Sequence, residues 1–187
     1  MEHDHRTPTG ERKHMTASNF PAALQFVLSQ EGGWSDRSDD TPTNQGVTLA
    51  TYRDALGQPN LTADDLRAMT DEQRDRIYLM GYWQPIRGDD LPSGVDLAVF
   101  DFAVNAGPAM AVKALQAVLS VTEDGIVGAE TLGRAQAVEI MVPQTPIRKL
   151  TDARIRFYKS LGKPEFIDGW TNRANACEDA ALALIAP

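Results

Sequence analysis

The sequence predicts an all-α fold, and three features carry that expectation. Apolar residues recur at 3.6-residue spacing through several segments, the first being Phe20, Leu24, Val27 and Leu28. Two helix starts carry capping-box chemistry, Thr62 with Asp65 and Thr70 with Gln73. The run SGVDLAVFDFAVNA at 93–106 is apolar nearly all round, as a helix at the centre of a fold must be.

Taken in order, Ser18 or Asn19 caps the first helix, and Gly32 and Gly33 stop it. Residues 34–47 hold Pro42, Gly46 and many Asp, Ser, Thr and Asn, so they read as a loop or short irregular hairpin. Thr48 caps a second helix that ends at Gly57. The two capping boxes open the third and fourth helices, the fourth running to about Met80. Gly107 and Pro108 separate the central helix from one carrying Val112, Leu115 and Leu119. The sequence DGIVG at 124–128 reads as a turn with glycine at positive φ, and another helix starts near Ala129. Ile147, Leu150, Arg154, Phe157 and Leu161 space out a long helix after Pro146, and Ala174, Cys177, Ala181 and Leu184 mark the last.

Composition excludes several functions. A chain of 187 residues supports one good core, and no apolar run approaches a membrane span. Net charge −8 argues against nucleic-acid binding, which needs a basic stripe. The single cysteine, Cys177, rules out an internal disulfide and reads as a small buried residue. His3, His5 and His14 all fall in the polar first 18 residues, read as a disordered leader without the apolar centre of a secretory signal. A metal site or a histidine-based nucleophile in the folded body is therefore not expected, and neither is a cofactor.

The chemistry gathers around Glu31. A carboxyl group where a rigid helix gives way to a loop can be half-buried on one side and open to substrate on the other. Acidic residues are also disfavoured at a helix C-terminus, a local misfit of the kind that marks functional sites. Glycosidic bond cleavage by acid catalysis needs such a group, and a second carboxylate across the cleft. Asp40 and Asp39, nine and eight positions after Glu31, are the candidates for that second role. Thr43 and Asn44 follow in the same loop and can shape the site. Trp83, in GYWQP, is the candidate sugar platform, whereas Trp170 reads as core. Asp101 and Asn105 share one face of the central helix and either bond loop backbone or line the cleft.

The ordered set EGGW at 31–34, TNQGVT at 43–48, YW at 82–83, LP at 91–92 and FDFAVNAG at 100–107 resembles glycoside hydrolase family 108, the EGG-motif N-acetylmuramidases. LQAVLSVTEDGIVGAETL at 115–132 and FIDGWTNR at 166–173 resemble the peptidoglycan-binding half that follows in that family. The resemblance implies a lysozyme-like helical fold with a catalytic lobe at 19–107. A peptidoglycan-binding-like lobe at 108–187 is expected to belong to the same globule. It implies cleavage of the β-1,4 bond between N-acetylmuramic acid and N-acetylglucosamine, with Glu31 as acid. One departure is that Asp39-Asp40-Thr41-Pro42 stands where the family has Asp-Pro-Gly-Gly, which leaves the choice between the two aspartates open. The expected partners are peptidoglycan glycan strands and, for export from the cytoplasm to the wall, a holin or secretion machinery. A monomer is expected, as a phage endolysin or a secretion-assisting muramidase. The alternative is a wall-binding module whose altered loop has cost it activity.

Overall fold

The computed structural model describes residues 18–36 and 42–185. Residues 1–17 of the expected leader, and Asp39 and Asp40, lie outside the described residues.

The architecture is built around α5 (Val95–Ala106), whose residues from Val95 to Ala103 are all buried. Against it pack α1 (Phe20–Gln30), α6 (Pro108–Leu119), α8 (Gln144–Ser160) and α9 (Pro164–Ala183). The remaining helices are α2 (Leu49–Leu56), α3 (Ala63–Arg67), α4 (Asp71–Tyr78) and α7 (Ala129–Met141). A two-stranded antiparallel hairpin, β1 (Thr43–Asn44) and β2 (Val47–Thr48), pairs Thr43 with Thr48 and Asn44 with Val47. The fold is therefore all-α with a minimal hairpin after the first helix, as the sequence predicts. No helix among the described residues is long and apolar enough to cross a membrane.

The local chemistry accounts for most boundaries. Both capping boxes form, and the Thr48 hydroxyl accepts from the Thr51 amide at 3.1 Å. At α1 the Ser18 hydroxyl accepts from the Phe20 amide. Asn19 instead sends its amide across to Ser93 and Asp96 at the start of α5, which ties the two helices together. Gly32 and Gly33 do not take left-handed backbone; α1 ends because Glu31 itself is extended (φ −86°, ψ 147°). The fourth helix does not stop near Met80 but continues as a π-helical turn, Leu79–Trp83, closed by the Gln84 amide on the Leu79 carbonyl at 2.8 Å. Such turns are scarce and recur at functional sites. The turn at 124–128 is built around buried Gln116, which donates to Asp124, Ile126 and Thr131 and accepts from the Gly125 amide. Of its two glycines only Gly125 is left-handed. Cys177 is buried, as read from the sequence, and burial pushes its thiol up.

Candidate active site

Glu31 sits at the C-terminal end of α1 with its side chain about one-fifth exposed (19%). Its carboxylate accepts from Nη1 of Arg173, on α9, at 2.7 Å. The same guanidinium turns its Nε and Nη2 onto Oδ1 of Asp101, at 3.0 and 2.7 Å. Asp101 is fully buried and also pairs through Oδ2 with Arg154 of α8, at 2.7 Å. Arg154 in turn donates to the Tyr158 hydroxyl at 2.6 Å and to the Asn105 side-chain oxygen at 2.5 Å, and Tyr158 donates to that oxygen too. Burial alone would favour discharging Arg173; the Asp101 and Glu31 carboxylates outweigh it and push its pKa up. Among the described residues no buried side-chain nitrogen or oxygen lacks a partner, so this desolvated network is fully satisfied.

On its other side Glu31 meets the hairpin tip. Gln45 (φ 48°) and Gly46 (φ 79°) are both left-handed, as a two-residue hairpin turn of this kind demands. The tip is fixed to α4, where Tyr78 donates to the Gln45 carbonyl at 2.9 Å and Arg74 donates to the Gln45 side chain at 2.5 Å. A Cβ at Gly46 would overlap the Tyr78 hydroxyl and come 2.9 Å from Cγ of Glu31. The hairpin thus lies directly on the carboxyl group. Burial and then the charge of Glu31 push the phenols of Tyr78 and Tyr82 up, so both are neutral donors beside it. A groove of about 480 Å³ opens next to Tyr82, between α2 and α4, lined by Thr51, Asp54, Gln73, Ile77 and Met80.

The remaining sequence-predicted residues divide sharply. Thr43 is half-buried on β1 and its backbone bridges to Ser35 in both directions, at 2.9 and 3.0 Å. Asn44 faces the protein interior rather than an open cleft. It is buried, and its amide donates to the Leu66 and Arg67 carbonyls at the end of α3. Trp83 is not a sugar platform either. It is wholly buried among Phe20 and Phe100, its indole donates to Asp89, and Gly88 lies flat against its ring. Asp101 and Asn105 act on the site through arginines, Asp101 on Arg154 and Arg173, Asn105 on Arg154. Trp34, half-buried, carries Arg67 over its ring at 4.2 Å. Trp170 is only partly buried rather than core.

Arg154, Arg173, Tyr78 and the hairpin tip were not singled out by the sequence. Arg154 did leave a signal, since it stands in the apolar stripe of its own helix and can be buried there only against a carboxylate. Arg173 lies in the FIDGWTNR segment but has no such local signature.

Comparison with known proteins bears directly on this arrangement. Residues 24–107 match the family described as Glycosyl hydrolase 108, and residues 110–175 match the one described as Predicted Peptidoglycan domain. No curated protein matches. Among solved structures that match, Brucella abortus SagA is 39% identical, with a TM-score of 0.82 over 92% of this chain and 98% of that one. The chain belongs to glycosyl hydrolase family 108. As a member of that family it is a glycoside hydrolase acting on peptidoglycan. The two matched segments meet at the ion-pair network, because Glu31 and Asp101 lie in the first and Arg154 and Arg173 in the second.

Proposed function

We propose that this family 108 hydrolase is an N-acetylmuramidase that cuts the β-1,4 bond between N-acetylmuramic acid and N-acetylglucosamine. Glu31 gives its proton to the bridging oxygen as the bond from that oxygen to the anomeric carbon breaks. Water supplies the hydroxyl that replaces it. Asp40, or Asp39, orients that water or stabilises the oxocarbenium-like transition state, and Thr43 helps to shape the site. The observation that carries this reading is the placement of Glu31: a partly exposed carboxyl group, braced by Arg173 behind and the Gly46 turn beside.

Arg173 fixes the Glu31 carboxyl group in position through Nη1 while its Nε and Nη2 bond to Asp101.

The test is lysis of purified sacculi by wild type and by Glu31→Gln, followed by borohydride reduction of the products. A muramidase leaves new reducing ends on N-acetylmuramic acid, and Glu31→Gln should lose at least about 10²-fold in rate. New reducing ends on N-acetylglucosamine, or a Glu31→Gln protein that lyses normally, would overturn the reading.

The setting proposed is that of a monomeric phage or prophage endolysin reaching the wall through a holin-type lesion. The second reading is a secretion-assisting muramidase, and similarity to a Brucella abortus protein favours its bacterial rather than phage setting. Lysis from within that requires a co-expressed holin supports the first.

A further inference from the structure

Near Glu31 the catalytic reading leaves one side chain, Tyr82, unused. It stands in the π-helical turn Leu79–Trp83, where Trp83 goes into the core and Tyr82 stays partly exposed beside Tyr78, ring centroids 5.8 Å apart. The two phenols have different fates. Tyr78 spends its proton on the Gln45 carbonyl at 2.9 Å, and a Cβ on Gly46 would touch both its hydroxyl and Glu31. The Tyr82 hydroxyl has no hydrogen-bond partner among the described residues, and since no buried side-chain oxygen there lacks one, it is open to solvent. Glu31 takes its bond from Arg173, which leaves that phenol unspent. The charge of Glu31 is nonetheless felt at Tyr82, second to burial in holding the phenol neutral. The same ring lines the groove of about 480 Å³ between α2 and α4. Leu56, Ile77 and Met80 give that groove apolar lining, while Asp54 and Arg76 bring one charge of each sign.

We propose that Tyr82 is a specificity-determining residue, whose phenol donates to the acetamido carbonyl of a sugar beside the scissile bond while the groove takes the acetyl methyl. The occupant follows from the chemistry on offer. An unspent neutral donor calls for an acceptor, and an amide carbonyl accepts without a proton of its own to place. A sugar hydroxyl also accepts, but it brings no methyl for Leu56, Ile77 and Met80 to cover. One polar group fixed at the edge of apolar lining is how small-ligand sites set orientation. The inference rests on the substrate being an N-acetylated glycan, but not on which of its two bonds is cut.

The experiment is a competition within one substrate. Glycan strands freed of peptide and randomly de-N-acetylated in part are cut by wild type and by Tyr82→Phe, and mass spectrometry counts acetylated and free amino sugars beside the new ends. Their ratio reports the relative kcat/KM for the two kinds of site. Wild type should favour acetylated sites, and Tyr82→Phe should lose about five- to tenfold of that preference, the worth of one neutral hydrogen bond. Its kcat/KM on fully acetylated strands should fall by the same factor. The ring still packs on Tyr78, so circular dichroism and Tm should match the parent. A wild type indifferent to acetylation, or a Tyr82→Phe protein that keeps the full preference, would overturn the proposal. New reducing ends on N-acetylglucosamine, with the Tyr82-dependent preference intact, would sink the muramidase reading and leave this assignment standing.

Discussion

Replacing Asp101 by asparagine tests the centre of the structure. The change keeps the shape and removes one buried negative charge that now faces two guanidiniums, each at 2.7 Å. Asp101 has no exposure, and the Arg154 and Arg173 side chains have 3% and 13%. Neither arginine can therefore recover its hydration in place. Breaking a buried pair by removing one partner costs about 3–5 kcal/mol, because the other charge is left uncompensated. For a chain of this size that corresponds to a fall of roughly 6–20 °C in Tm. Arg173 also loses the partner that fixes it behind Glu31, so the lytic rate should fall further than stability alone explains. Thermal unfolding and sacculus turbidity, measured at a temperature where the variant is folded, give the two readouts. The companion is Asp101→Asn with Arg154→Met, which removes the stranded charge next to Phe102 and Tyr158 and should regain about 1–2 kcal/mol over the single variant. A single variant destabilised by less than about 1 kcal/mol, or strictly additive effects in the pair, would refute the network as the brace of the site.

Gly46→Ala forces a side chain into left-handed backbone and into Glu31, so it should cost about 1–2 kcal/mol and slow lysis about 10- to 100-fold, read by turbidity. An unchanged rate would show that the hairpin does not set the carboxyl position. Asp96 should make stability depend on pH. Burial lifts its carboxyl to about 6, against opposing bonds from Asn19 and the Leu97 amide. A folded-state value above the ordinary 3.8 means that its contribution is full in acid and is lost as pH rises through 6. Asp96→Asn should therefore gain stability relative to wild type between about pH 4 and pH 7, by at most about 3 kcal/mol, and chemical denaturation at the two pH values checks the sign. Gln116→Leu removes the hub of the 124–126 turn and strands the groups it held, which should cost about 2–3 kcal/mol and speed amide exchange at Gly125.

The helices were legible because their determinants are local. Thr62, Thr70 and Thr48 bond to amides three residues on, and nothing distant enters. The all-round apolarity of 93–106 likewise announced its burial. The position of Glu31, at the end of α1 with its carboxyl group partly exposed, was legible for a similar reason. The misplacements of Trp83, Asn44 and Arg173 involve partners remote in sequence. Trp83 is indistinguishable in sequence from an exposed platform; its fate is decided by Phe20, Phe100 and Gly88, and by a π-helical turn that shifts its register. Asn44 looked like a ligand contact because its partners, the α3 carbonyls, lie 22 and 23 residues away. Arg173 reaches Glu31 across 142 residues, a separation that no spacing rule spans.

That long reach bears on how the two family segments relate. Were residues 110–175 only an anchor to the wall, the first segment would keep its chemistry without them. Its central helix, however, buries Asp101, and both counter-charges come from the second segment. Cutting the chain after Gly107 would leave a carboxylate in the core with no cation, along with the apolar faces of α5 that α6, α8 and α9 cover. It would also take Arg173 from Glu31, removing the group that holds that carboxylate in place. The helices of the second segment are thus the ones that brace Glu31 and cover α5, which makes the two matched segments one packed unit.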